Sequence, residues 1–428
     1  MMTGLKTGLV LGGGAARGAY EAGVLSYLRE ELEPEIGREL KLDILAGTSV
    51  GAIHACYLAA TSDQPALQAQ GMRAHWTGMK VEEVLRCGVG DIFRVVREAL
   101  GKPASHPRDI QYGGLVDPRG LRAIVSRGIP WLGIGRNVRK GHLEALAVST
   151  THVGSGRATV FVQRRGGGIP PWGNDPSYQA RATRIAPHHA LASAAIPVVF
   201  PAVRLGGELH VDGGLRLNVP LSPALRLGAQ RVIVISLRHE ALRVRQPEEA
   251  EESTEQEREQ AFATAPFLAG KMLNTLMMDR TDQDLGRLRR LNAILEAGTV
   301  AYGKDFARTL GGVLGHHRSQ PLRYVRELLV RPSRDIGSLA AEYVRAPEFR
   351  KRSSGLAHKA ILRLVDRDAA HEADLASYLL FDGGFADILI ELGRQDARAL
   401  RSEWLRFWSD EPQNMAERAT MLPAASAA

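Results

Sequence analysis

Apolar residues in the first half of the chain gather in short runs separated by glycine-rich or polar breaks. Leu5 to Leu11, Leu42 to Gly47, Leu143 to Ser149, Ala158 to Gln163 and Arg231 to Leu237 each have strand length. Their apolar character is nearly continuous rather than alternating, the mark of strands covered on both faces. Between the first two runs the period changes. Ala22, Leu25, Leu28 and Leu32 recur every three or four residues, with Arg29, Glu30 and Glu31 on the other side, which predicts an amphipathic helix. Ala52 to Ala60, after the second run, has helical composition. Strand, loop, helix, strand, turn, helix is the rhythm of an α/β fold with a mostly parallel sheet. Thr151 to Gly156, between the third and fourth runs, predicts a hairpin connection.

From about residue 61 to 139 this rhythm stops. Met72 to Trp76, Val81 to Leu85 and Ile92 to Leu100 suggest short helices, punctuated by Pro103, Pro107, Gly113-Gly114 and Pro118. An insertion at that point is placed to cap whatever the second strand carries. Pro247 to Glu259 is an acidic run and reads as a linker or exposed helix. Beyond it Leu268, Met272, Leu276, Leu285, Leu288, Leu291, Ile294 and Leu295 follow helical spacing. Leu322 to Val330, Ile336 to Val344, Ile361 to Val365, Leu375 to Phe381 and Phe385 to Leu392 continue the pattern. The predicted organisation is an α/β domain over 1–240 with a cap-like insertion at about 61–139, an acidic linker over 241–262, and a helical C-terminal extension over 263–428. Basic amphipathic helices suit either a packed core with a charged outer face or a lipid interface.

Composition narrows the partners. Of 428 residues 44% are hydrophobic and 24% charged, as in globular proteins. The net charge of +8 favours anionic partners, and the lack of a Lys/Arg block interleaved with aromatics favours a phospholipid surface over nucleic acid. Only Cys56 and Cys87 are present, which argues against a disulfide framework and suits a reducing compartment. No run of about twenty apolar residues offers a transmembrane span, and Met1 to Lys6 lacks the apolar core of a signal peptide. The expectation is a cytoplasmic protein with peripheral contact at a membrane surface.

Two stretches carry candidate chemistry. Gly47-Thr48-Ser49-Val50-Gly51 sits between a strand and a helix, the context in which G-x-S-x-G lifts a serine hydroxyl above the sheet. Gly47 and Gly51 leave room for the tight turn. Gly12-Gly13-Gly14-Ala15-Ala16-Arg17-Gly18 follows the first strand and admits two readings. A dinucleotide fingerprint needs a third glycine, where Arg17 stands, and an acid ending the next strand, whereas Asp43 begins it. An oxyanion hole needs successive backbone N–H groups at a helix N-terminus, and a serine one βα unit later favours it. Further on, Leu209-His210-Val211-Asp212-Gly213-Gly214 puts a carboxylate at a strand end, in a turn that Gly213 and Gly214 let fold back.

Gly-Gly-Ala-Ala-Arg-Gly (13–18), Gly-Thr-Ser-Val-Gly (47–51), Ala-Ser-x-Ala-x-Pro-x-x-Phe-Pro (192–201) and Asp-Gly-Gly-x-x-x-Asn-x-Pro (212–220) occur in that order. Together they resemble the patatin-like phospholipases, a family of lipid acyl hydrolases, over about residues 5 to 240. The resemblance implies a three-layer α/β hydrolase acting on lipid esters without metal or organic cofactor. It makes Ser49 the nucleophile, Asp212 its partner in a dyad, and Gly13, Gly14 and Ala15 the oxyanion loop. Arg17 would lend that loop positive charge. Ala15 stands where the family often has glycine, a strained choice if the position needs φ > 0. Three alternatives stand beside this reading. They are a Ser49–Asp212–His239 triad in α/β-hydrolase order, a nucleotide-binding enzyme, and a non-catalytic membrane-associated module. His54, His75, His188, His189 and His210 show no metal-ligand spacing. The second Asp-Gly-Gly, at Asp382, lacks the downstream Asn-x-Pro and reads as a helix-ending turn.

Overall fold

A computed structural model describes residues 5–85, 114, 116–170, 172, 178–239, 281–314, 322–352, 358, 361, 362, 365 and 374–421. The expected helix at Ile92–Leu100, the acidic run 247–259 and the periodic positions 268–276 lie outside the described residues.

The strand-length runs become the middle of one sheet. Its strands are β1 (Thr7–Leu11), β2 (Ile44–Thr48), β3 (Ala145–His152), β4 (Ala158–Arg164), β5 (Tyr178–Ala182), β6 (Val203–Leu205), β7 (Glu208–Asp212), β8 (Arg231–Ile235) and β9 (Arg326–Val330). The spatial order is β5-β4-β3-β2-β1-β8-β9. Strands β3, β2, β1, β8 and β9 are mutually parallel. β4 runs antiparallel to β3 as the hairpin required, and β7 pairs antiparallel with the far end of β3, Thr150 opposite Asp212.

Side chains alternate along each strand, and both sets are buried. Leu9, Leu11, Leu45, Leu146, Val148, Ile233 and Ile235 enter one apolar cluster. Val10, Ile44, Ala46, Ala145, Ala147, Val232 and Val234 enter a second. Helices cover both faces, which makes three layers. Among the described residues no helix is long and apolar enough to cross a membrane.

Two expectations are corrected. The spacing of Leu322 to Val330 reads as helical, yet Arg326–Val330 is strand β9, paired with β8 from Arg231↔Arg326 to Ile235↔Val330. Its burial alternates residue by residue, but Arg326 occupies an inward position and hides the period. That arginine is 2% exposed, paired with Glu417 and donating to the carbonyls of Phe407 and Ser409. Asp382 does more than end a helix. Its Oδ1 accepts N–H bonds from Gly384 and Phe385 at 2.9 and 3.3 Å, so it caps the start of the helix Gly383–Ala399.

Candidate active site

The carboxyl ends of β1 and β2 carry the two motif loops. At the end of β2 the chain turns into the helix Val50–Ala60 through Ser49, whose φ of 56° and ψ of −125° lie where an L-residue is strained. The turn is possible because both flanking glycines lie against backbone. A Cβ on Gly51 would stand 2.5 Å from the Leu11 carbonyl oxygen, and one on Gly47 would run into the Gly51 carbonyl. Ser49 is held from both sides. Its N–H donates to Ser193 Oγ at 2.8 Å, and Ser193 in turn donates to the Ser149 carbonyl at 2.6 Å. Ser193 lies inside the Ala-Ser-x-Ala run, but nothing in the sequence alone gave it this task.

Ser49 Oγ donates to Asp212 Oδ2 at 2.7 Å. The other carboxylate oxygen accepts the Gly214 N–H at 2.7 Å. Asp212 therefore both caps its own turn and reaches the serine. Its backbone is fixed by two bonds, its N–H to the Ala195 carbonyl and the Thr151 hydroxyl to its own carbonyl, and by its place opposite Thr150 in the pairing of β7 with β3. The carboxylate is completely buried, and that burial pushes its pKa from 3.8 up to about 7, with the Ser49 and Gly214 hydrogen bonds opposing the rise.

Facing them is the glycine-rich loop at the N-terminus of the turn Ala15–Gly18 and the helix Ala19–Tyr27. Ala15 has φ 50°, so the strain expected of a non-glycine residue there is present. The Gly13 N–H already donates to the Asn218 carbonyl at 3.2 Å. Gly14 and Ala15 have no such bond among the described residues, which leaves them as the available donors. Asn218, of the Asn-x-Pro run, also reaches the Gly13 carbonyl through its side chain at 3.5 Å. It ties the loop after β1 to the loop after β7, a role the sequence reading left unassigned.

Other predicted positions settle differently. Arg17 is 8% exposed and its charge is paired with Asp374 at 2.9 Å; it is not a free cation in the loop. His239 Nδ1 lies 2.9 Å from the Pro332 carbonyl, and among the described residues no histidine bonds Ser49 or Asp212. His54 stands 2.6 Å from the buried Glu21 and accepts from the Trp76 indole at 2.9 Å. Since an indole only donates, the His54 proton is assigned to Nδ1, shared with Glu21, whose pKa burial raises. Beside the elbow helix, Val50, Ile53, Tyr57, Met72, Trp76, Leu121 and Phe381 are among the residues lining a narrow apolar cavity of about 70 Å³.

The profile of the patatin-like phospholipases matches residues 9–225, half of the chain. A patatin-like phospholipase domain-containing protein of Caenorhabditis elegans is 40% identical over 82 residues, 18% of this chain. The chain spans only 6% of the length of that relative. Among solved structures, VipD of Legionella pneumophila aligns with 93% of this chain and 67% of its own, at 12% identity and a TM-score of 0.30.

Proposed function

The chain belongs to the patatin-like phospholipase family, and from that premise we propose that it hydrolyses carboxylic esters of lipids with Ser49 as nucleophile and Asp212 as its base. The observation that carries the reading is the 2.7 Å bond between Ser49 Oγ and Asp212 Oδ2, made by a fully buried carboxylate. An ordinary aspartate is too weak a base for this work, and a pKa near 7 brings it close to the range in which a general base operates.

In the proposed sequence Ser49 Oγ attacks the ester carbonyl while Asp212 takes its proton. The carbonyl oxygen becomes the oxyanion, received by the Gly14 and Ala15 N–H groups at the positive end of the helix Ala19–Tyr27. Collapse expels the alcohol, which takes the proton from Asp212, and leaves an acyl-serine. Water then attacks, again losing its proton to Asp212, and Ser49 recovers that proton as the acid departs. The apolar cavity that starts at Val50 suits the acyl chain. The net charge of +8 suits peripheral contact with anionic lipid.

Turnover of a medium-chain nitrophenyl ester and a phospholipid tests this in wild type, Ser49→Ala, Asp212→Asn and His239→Ala. Loss of roughly four or more decades in the first two, about what removal of a triad member costs serine hydrolases, with wild-type rates in the third, is the expected result. Equal loss in His239→Ala would replace the dyad by a triad. Absence of turnover and of labelling by a fluorophosphonate in the wild type would refute the enzyme reading.

A further inference from the structure

The glycine loop has a mechanical problem. It must hold Ala15 in the left-handed region and keep two N–H groups aimed at one point, and such strain persists only where the surroundings over-determine it. Yet Gly13, Gly14, Ala15, Ala16 and Gly18 offer nothing longer than a methyl group. Arg17 is the one side chain of the loop that another element can grip.

It is gripped, and by residues more than 350 positions away in sequence. Arg17 Nε donates to Ser377 Oγ at 2.8 Å. A terminal nitrogen donates to Asp374 Oδ1 at 2.9 Å, and the guanidinium lies 4.0 Å from the centre of the Tyr378 ring. The three partners come from one helix, Asp374–Leu379, and Ser377 is completely buried. A fork of donors, a carboxylate and a ring face together fix the orientation of a guanidinium as well as its position. The helix is itself anchored at the site. Two residues after it, Phe381 stacks on Trp76 at 6.4 Å and 4°, in the wall of the apolar cavity. Asp374, Ser377, Tyr378 and Phe381 lie outside the residues 9–225 that carry the family profile.

We propose that the helix Asp374–Leu379 is a positioning element of the catalytic site, holding the oxyanion loop in its working shape through Arg17. The inference rests on the reading of Ser49 and Asp212 as the catalytic pair. Asp374, Ser377 and Tyr378 touch no reacting atom. They act through Arg17, and Arg17 acts through the backbone of Gly14 and Ala15.

The test uses the full chain, a nitrophenyl butyrate assay, fluorophosphonate labelling of Ser49 and a thermal melt. Asp374→Asn is expected to lower kcat about tenfold, a fraction of what loss of a whole oxyanion donor costs. KM and the pH midpoint stay unchanged, and labelling slows in parallel. Ser377→Ala, which leaves the ion pair, is expected to lower kcat by a smaller factor. Arg17→Lys keeps the charge without the fork and should resemble Asp374→Asn. The double variant Arg17→Lys/Asp374→Asn should fall no further than either single, because the parts act as one unit. Wild-type kcat in Asp374→Asn at a wild-type melting temperature, or a rise in KM alone, would overturn the clamp. If Asp374→Asn does not fold, unchanged kcat in Ser377→Ala overturns it instead. Wild-type turnover that needs Ser49 but ignores these variants rejects the clamp alone. A wild type with neither turnover nor labelling rejects the functional reading and the clamp with it.

Discussion

At the scale of single residues, the same burial that suits Asp212 to its proposed role as a base also sets it against the fold. Its pKa is raised from 3.8 to about 7 by desolvation, so the folded protein holds the Asp212 proton more tightly than the unfolded chain does. Stability linked to this group is therefore complete below pH 3.8 and is lost as the pH rises through about 7. Activity runs the other way, because only the ionised carboxylate can take the Ser49 proton. We expect kcat/KM to climb with pH through a midpoint near 7. Asp212→Asn should be inactive yet more stable than wild type at about pH 8, by on the order of a few kcal/mol, with the difference vanishing near pH 4. The amide can keep both bonds, accepting from Gly214 and donating to Ser49. Thermal melts of the two proteins at the two pH values check this. Equal melting temperatures at the higher pH would mean that the carboxylate is not strained by its burial. The contact between Ser49 and Asp212, the proposed catalytic pair, was legible because its residues sit in short motifs whose glycines serve the same turns. Ser193 and Asn218 lie in equally visible motifs, but their work is to bond backbone in distant loops, which no local spacing announces. Arg17 was legible as a member of the loop and misleading as a charge, because its counter-ion is Asp374.

At the scale of elements, the buried strands declared themselves through unbroken apolar runs, since parallel strands covered on both faces need little else. β9 did not, because an inward arginine replaced the apolar residue that would have marked its period. The apolar cavity was likewise invisible in the sequence. It draws one wall from the elbow helix, others from Gln68–Thr77 and Arg119–Gly128, and its aromatic end from Phe381. Trp76 and Phe381 stack face to face at the cavity wall, and Phe381 is 8% exposed. For an acyl chain bound there as proposed, a wall made of one ring limits chain length at that point. Phe381→Ala is expected to extend the cavity and shift preference toward longer acyl chains. Each additional methylene buried is worth about 0.8 kcal/mol, so an ester two carbons longer should gain roughly tenfold in kcat/KM relative to the short one. A series of nitrophenyl esters measures it. An unchanged chain-length profile with intact folding would show that the acyl chain lies elsewhere.

At the scale of the whole molecule, composition suggests a break near residue 240, while the packing runs straight across it. One apolar cluster joins Leu9, Leu45 and Ile233 to Val330, Phe385, Leu389 and Trp404. Strand β9 covers the edge that β8 would otherwise leave open, and an uncovered hydrophobic edge invites aggregation. The helices Ala19–Tyr27 and Gly383–Ala399 touch backbone to backbone. A Cβ on Gly23 would run into the Ile390 carbonyl, and one on Gly393 into the Tyr20 carbonyl. Tyr20 also donates to the buried Asp396 at 3.0 Å. Two surfaces this closely fitted each supply part of the other's core. We therefore expect the chain to unfold in one cooperative transition, with loss of helical signal and loss of Ser49 labelling at the same temperature. A fragment ending at residue 240 should fail to give a cooperative melt, although it contains Ser49, Asp212 and the glycine loop. A fragment that melted cooperatively and turned over esters would show that the C-terminal segment decorates a finished enzyme. Failure of the fragment, together with intact folding of Asp374→Asn, would separate what the segment does for the fold from what its one short helix does for the oxyanion loop.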